Sequence, residues 1–223
     1  MSMTVADTRM AIIMCHPSIP DDEDARLRLD WLRRFVPNHQ IIEWSRSELD
    51  MKASWNLAMQ EVLNAPSHIQ ECLFIHDDVI PDERSDLIWD RDDDVVCCRF
   101  DADAPWIWSN RQAFHNAMFR VKRKVIEIIP APWWDELKHW DAKADTTVGC
   151  ICNYFSKQAQ SYLFSVANTG ECKHLNLRKW GKMPKAWSKG QPPKNFDKET
   201  WDMKMKYFRK RKADRLKEIR NGK

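Results

Sequence analysis

The segment Cys72-Leu73-Phe74-Ile75-His76-Asp77-Asp78-Val79-Ile80-Pro81 restricts this chain more than any other. A short, continuous apolar run bounded by breakers is how a strand buried on both faces reads. The run stops abruptly at two adjacent carboxylates, and a proline follows three residues after the second. In open α/β sheets the carboxyl ends of the strands are where ligands bind. Two aspartates crowded there repel each other unless a positive charge sits between or beside them. A hard divalent cation, Mg²⁺ or Mn²⁺, meets that need, because it prefers carboxylate oxygen and also holds phosphates.

The elements before this strand alternate. Residues 10–15 read as a first strand, ended by Pro17, Pro20 and the acidic run 21–24. The helix that follows sets Leu27, Trp31, Leu32 and Phe35 on one face, and Pro37-Asn38 stops it. Residues 40–44 read as a second strand. A second helix, roughly 52–63, carries Trp55, Ala58, Met59 and Val62 at i, i+3, i+4 and i+7. Leu57 and Leu63 lie off that stripe, so the apolar face is broad or the helix is buried on two sides. Strand, helix, strand, helix, strand with short connections implies parallel pairing and right-handed crossovers. The fold class expected is therefore α/β, with a mostly parallel central sheet and flanking helices.

Beyond Pro81 the pattern predicts a short helix over 85–89 and a fourth strand over 94–100, followed by Asp101 and Asp103. Residues 111–129 mix helix and strand. Residues 148–155 are either a strand or the start of the helix that carries 159–166. Periodicity weakens after Asn168-Thr169-Gly170. Residues 178–197, rich in Lys, Pro, Gly and Trp, read as an irregular wrap, and 200–220 as a strongly basic helix with Trp201, Met205 and Phe208 available for docking.

Composition narrows the function classes. Only five glycines occur, none before Gly149, and the position after the first strand reads Cys15-His16-Pro17-Ser18. A Walker loop or a dinucleotide fingerprint needs glycine there, which argues against both. Net charge is +3 from 36 basic and 33 acidic residues, too balanced to argue for a nucleic-acid partner. No segment reaches the length of a membrane span, and the N-terminus has no signal-peptide pattern. Seven cysteines, an odd number, in a chain large enough to fold without disulfides read as reduced thiols of a cytoplasmic protein. Twelve tryptophans read first as core and rim aromatics, and second as a stacking surface for a base or a sugar.

One set of residues resembles a known family. The strand at 11–15, the second strand with Glu43, the helix motif Lys52-Ala53-Ser54-Trp55-Asn56-Leu57-Ala58 and the strand ending Phe74-Ile75-His76-Asp77-Asp78 occur in the order seen in GT-A-fold glycosyltransferases, of the family-two kind. The resemblance covers roughly residues 9–105 and implies a nucleotide-binding half there, an acceptor half over 106–200, and a basic helix over 201–223 outside the domain. It implies transfer of a sugar (a hexosyl group) from a UDP- or GDP-linked donor to an unknown acceptor, with Mn²⁺ or Mg²⁺ as cofactor. Asp77 and Asp78 would bridge the metal to the diphosphate, with His174 as a further metal ligand from a loop. Glu43, Lys52, Asn56 and His76 would hold the base, ribose or phosphate. The family motif is usually Asp-x-Asp or Asp-Asp-Asp, so here either His76 replaces the first acid or Asp78 alone holds the metal. An inverting transferase also needs a carboxylate base past the metal strand. Asp145 and Asp141 are the candidates, with Asp135 and Glu136 as competitors.

Other readings stand beside this one. Asp101 and Asp103 form a literal Asp-x-Asp, whose plainer reading is a solvated loop. Cys150, Cys152, Cys172 and His174 form a possible zinc set, although buried apolar cysteine explains them more simply. With the tryptophans and the basic tail, that set supports a zinc-containing nucleic-acid-binding protein. A nucleotidyltransferase also uses paired aspartates. The tail, from Lys204 to Arg215, reads as a solvated helix face or as a contact with an anionic membrane.

Overall fold

The computed structural model describes residues 4–15, 22–45, 51–100, 117–135, 138–141, 146–149, 151–174 and 198–221. Strands β1 (Arg9–Cys15), β2 (Ile41–Ser45) and β3 (Glu71–His76) pair in parallel with β1 in the middle. Helix α1 (Asp22–Leu32) links the first two, and α2 (Met51–Asn64) links β2 to β3. The chain steps one way from β1 to β2 and back the other way to β3. Right-handed crossovers therefore put the two helices on opposite faces.

The remaining strands extend the sheet from β3. They are β4 (Val79–Pro81), β5 (Val95–Phe100), β6 (Met118–Lys122) and β9 (Val166–His174), and the order across the sheet is β2-β1-β3-β6-β5-β9-β4. Five strands run one way, while β4 and β6 run against them. The sheet is thus mostly parallel in direction, as the alternating elements implied. β7 (Lys138–Asp141) and β8 (Thr146–Gly149) form a separate antiparallel pair. Among the described residues four more α-helices follow: α3 (Leu87–Asp90), α4 (Arg123–Ile128), α5 (Ile151–Ser161) and α6 (Lys198–Arg220).

Strand periodicity sorts the core into two layers. Met10, Ile12 and Met14, Cys72 and Phe74, Val95 and Cys97, and Phe119 and Val121 face one way. They meet Trp55, Ala58, Met59 and Val62 of α2, Val125 and Ile126 of α4, Trp133, Trp134, and Phe155 and Ala159 of α5. Ala11 and Ile13, Leu73 and Ile75, and Val96 and Cys98 face the other way, against Trp31 and Leu32 of α1 and Ile88 and Trp89 of α3. Both faces are covered, which is why these strands read as unbroken apolar runs.

The tryptophans described here fill that core. Trp55 lies 5.0 Å from Trp134 and 5.5 Å from both Phe74 and Phe119, and Trp134 stacks on Phe155 at 4.6 Å. The Trp133 indole N–H donates to the carbonyls of Ile126 and Ile129 at 3.0 and 2.8 Å. The aromatics described on this side of the sheet are therefore packing, and each ring pair of this kind adds about 1 kcal/mol beyond its buried area.

Residues 118–128 are a strand and then a helix, as the mixed pattern implied, and β6 sits between β3 and β5. Two expectations change. The stripe of α1 is rotated: Leu27 is 44% exposed, whereas Arg28, with Trp31 and Leu32 beyond it, points inward. The largest difference is β9. α5 ends at Ser161, and Val166–His174, read as a fading pattern with His174 in a loop, is a nine-residue strand. Its residues 166–170, Val-Ala-Asn-Thr-Gly, are all half-buried, with no alternation of buried and exposed positions. The strand is held by ladders to β5 on one side and β4 on the other, not by an alternating apolar face.

Candidate functional site

All five co-directional strands finish at one sheet edge, at Cys15, Ser45, His76, Phe100 and His174. Chain direction alone therefore brings together Glu43 near the end of β2, the Asp77-Asp78 turn after β3, and His174 at the end of β9. Asp101 and Asp103 follow directly on β5 but lie outside the described residues.

The turn itself is built into the fold. His76 donates its backbone N–H to the Ala117 carbonyl at 2.8 Å, and Asp77 donates its own to Met14 at 3.1 Å, extending the β1 ladder by one residue. Asp77 is 2% exposed, and the side chain of Asp78 is 13% exposed. Neither group projects into bulk solvent. The buried guanidinium of Arg28 donates from Nη1 to the Asp77 carbonyl. A positive charge thus sits against the main chain of the turn.

Only Asp77 and Asp78 separate His76 from Val79, a reach of about 11 Å at most. Yet β3 and β4 stand four places apart in the sheet, about 19 Å if it were flat. The far side of the sheet therefore curls over, and the end of β9 returns with β4 above the end of β3. The register makes this concrete, pairing Val79 with His174. A residue distant in sequence is so delivered beside the acidic turn. The device that permits the curl is Gly170, at φ +62° in the middle of β9. A Cβ there would be driven into the Arg84 carbonyl oxygen, well inside van der Waals contact. Only glycine combines that φ with so close a backbone approach.

The other expected residues are distributed as follows. Glu43 is exposed on β2 and registers with Ile13. His76 is 7% exposed, packs 5.5 Å from Trp55 and keeps Nδ1 3.9 Å from an Asp78 oxygen, so it combines core packing with a place next to the carboxylates. Asn56 reaches in another direction. Its amide N–H₂ donates to the Trp134 carbonyl at 2.8 Å, and its oxygen accepts from the Trp134 N–H at 3.0 Å. That pair of hydrogen bonds fastens α2 to the strap carrying Trp133 and Trp134. Lys52 lies in the first turn of α2, Asp141 ends β7 opposite Thr146, and His174 ends β9; the side chains of all three lie outside what is described, as do Asp145, Glu136 and Cys150 altogether. Asp135 is half-buried, and its charge joins burial in raising the Tyr154 hydroxyl above the usual tyrosine value.

Of the possible zinc set, Cys172 is described, and it is a core thiol. It is fully buried in the second layer with Cys98. A hydrogen bond with Cys98, followed by burial, pushes its thiol well above the ordinary range, so it holds its proton. A zinc ligand must do the opposite. Among the described residues no group of three or more His, Cys, Asp or Glu is arranged to hold a metal ion. Two carboxylates nevertheless suit Mg²⁺ or Mn²⁺, because such ions take one or two protein carboxylates and complete their shell with water and substrate phosphate.

Sequence reading missed Arg28. The signal was present, since Arg28 stands three and four residues before Trp31 and Leu32, on the buried stripe rather than beside it.

No family model matches this chain, and no curated protein does. Among solved structures it is similar to the protein described as "A197 from STIV", at 14% identity and TM-score 0.45, over 73% of this chain and 83% of that one. It is also similar to a glycosyltransferase involved in the glycosylation of the major capsid of PBCV-1, at 11% identity and TM-score 0.33, over 56% and 68% of the two chains. Likenesses this distant carry no argument about activity. No described helix is long and apolar enough to cross a membrane.

Proposed function

We propose that this protein is a metal-dependent, GT-A-like glycosyltransferase that takes a sugar from a UDP- or GDP-linked donor and passes it to an unidentified acceptor. The observation that carries the reading is the buried Asp77-Asp78 turn at the common end of the co-directional strands, where the curl of β9 also brings His174. Asp77 and Asp78 would hold Mn²⁺ or Mg²⁺, with His174 as a third donor. When bound, the ion neutralises charge on the departing diphosphate. Arg28 fixes the turn by its hydrogen bond to the Asp77 carbonyl. His76, held by Trp55 and Asp78, borders the site on the β3 side. Glu43 and Lys52, from the neighbouring β2–α2 segment, would meet the base and ribose or the phosphate. Asp141 or Asp145, in the β7–β8 region that feeds directly into α5, would take the proton from the acceptor hydroxyl. α5 is anchored to the main core through Phe155.

The test is calorimetric titration with UDP and with GDP, each with and without Mn²⁺, followed by incubation with the corresponding nucleotide sugars to detect released nucleoside diphosphate. Metal-dependent binding of one nucleotide and release from its sugar conjugate support the proposal. Binding of neither nucleotide under any metal condition would overturn it.

A further inference from the structure

We propose that α6 is a docking surface for anionic phospholipid, laid flat on the bilayer by a basic stripe and seated by an apolar edge. The helix has a fixed inner side. Phe208 is 4% exposed and meets Tyr154 of α5 edge-on at 5.5 Å. The guanidinium of Arg211 lies 4.4 Å over the Tyr162 ring and also donates to its hydroxyl. Arg211 and Arg215 are half-buried on that same side, at i+3 and i+7 from Phe208.

That docking decides what the outer side presents. Lys206, Arg209, Lys210, Ala213, Lys217 and Arg220 follow one another at helical spacing, and all six are exposed. The stripe runs about 21 Å along the helix. Among the described residues none of its five cations has a carboxylate within ion-pair distance, whereas Glu218, off the stripe, is taken up by Arg215 at 2.9 Å. From Lys206 to Arg220 there are eight basic residues against two acidic ones. The whole chain nets only +3, so the body apart from this segment is net acidic. A molecule polarised in this way turns its helix toward an anionic plane and its body away from it.

Apolar exposure selects the plane. Leu216 is 40% exposed and lies along the edge of the stripe, about 20° round the helix from Arg209. A nucleic-acid duplex offers phosphates to the lysines and arginines but nothing to an exposed leucine. A lipid interface serves both, with headgroup phosphate for the cations and the acyl boundary for Leu216.

The test is co-sedimentation of the full chain with vesicles of phosphatidylcholine, with and without about a third phosphatidylglycerol, a fraction that gives a strongly negative surface. Binding is expected only to the anionic vesicles, weakening as salt is raised. The combined variant Lys206→Glu, Lys210→Glu, Lys217→Glu should partition at least about tenfold less, given the gain per cation at such a surface. Lys206→Gln, Lys210→Gln, Lys217→Gln gives the same reading if charge reversal disturbs the fold. Leu216→Ser should weaken binding at unchanged charge. Equal binding to neutral vesicles, or charge variants that bind like the wild type, would overturn the proposal. So would loss of binding to a duplex oligonucleotide competitor with no effect of the Leu216 change, which would assign the stripe to nucleic acid.

Discussion

Gly170→Ala is the substitution that best separates the curled sheet from a merely similar arrangement of elements. Two costs add at this position. An L-residue held at φ +62° costs about 1–2 kcal/mol relative to glycine. The new methyl also meets the Arg84 carbonyl oxygen, a backbone atom that cannot swing aside. Either β9 or the 83–85 turn must shift, and forced displacement of packed structure costs a further 1–3 kcal/mol or so. A loss of about 3 kcal/mol sits inside that range and corresponds to a fall in Tm of roughly 6–12 °C for a chain of this size. Urea unfolding followed by tryptophan fluorescence measures it directly, because Trp55 and Trp134 are fully buried. Gly170→Asn divides the total: asparagine tolerates the left-handed conformation but still carries a Cβ, so it should keep the collision cost and lose most of the strain. If Gly170→Ala falls within about 0.5 kcal/mol of wild type, the close passage of β9 over the 83–85 turn is wrong. The delivery of His174 to the acidic turn fails with it.

Other outcomes follow from the same coordinates. Asn56→Leu removes both hydrogen bonds to the Trp134 main chain and leaves two backbone groups unmatched, so it should cost about 2–4 kcal/mol in urea unfolding. Asp94 has its carboxyl held below its usual 3.8: burial pushes it upward, but hydrogen bonds from Lys124 and Ser165 outweigh that. A depressed folded-state value gives stability that is present above 3.8 and lost as pH falls through the folded value. The advantage of wild type over Asp94→Asn should therefore be full at neutral pH and shrink below pH 3.8, read from thermal melts across that window. Cys72, Cys97, Cys98 and Cys172 are buried, and burial raises the Cys72 thiol well above its ordinary value. These four should label with a thiol reagent only as fast as the protein opens, in a slow phase that is lost in denaturant.

The parts of the fold legible in the sequence were those specified by local chemistry. β1, β3 and α2 could be read because both faces of the strands and one stripe of the helix are apolar with the right period. Asp77-Asp78 stood out for the same reason, as charge at the end of such a run. β9 was hidden because its identity comes from partners at its two edges, and Asn168, Thr169 and Gly170 carry turn chemistry within a strand. Gly170 in fact marks a close backbone approach, the other meaning of glycine in an extended segment. The bonds of Asn56 to Trp134 could not be read from sequence, because an amide on a helix gives no hint of a main-chain strap 78 residues away that docks on it. Arg28 was overlooked because a charged residue on a helix is ordinarily assigned to solvent, and only the turn it supports explains its burial.

The central claim is that the turn after β3 clasps a divalent ion together with a nucleoside diphosphate. Electron paramagnetic resonance of Mn²⁺ titrated into the protein, with and without UDP or GDP, measures this most directly. The account predicts that free Mn²⁺ signal disappears stoichiometrically when the matching nucleotide is present, and that Asp77→Asn and Asp78→Asn, folded by circular dichroism, lose at least about tenfold in Mn²⁺ affinity. Unchanged Mn²⁺ uptake in both variants, or none in the wild type with either nucleotide, would contradict it.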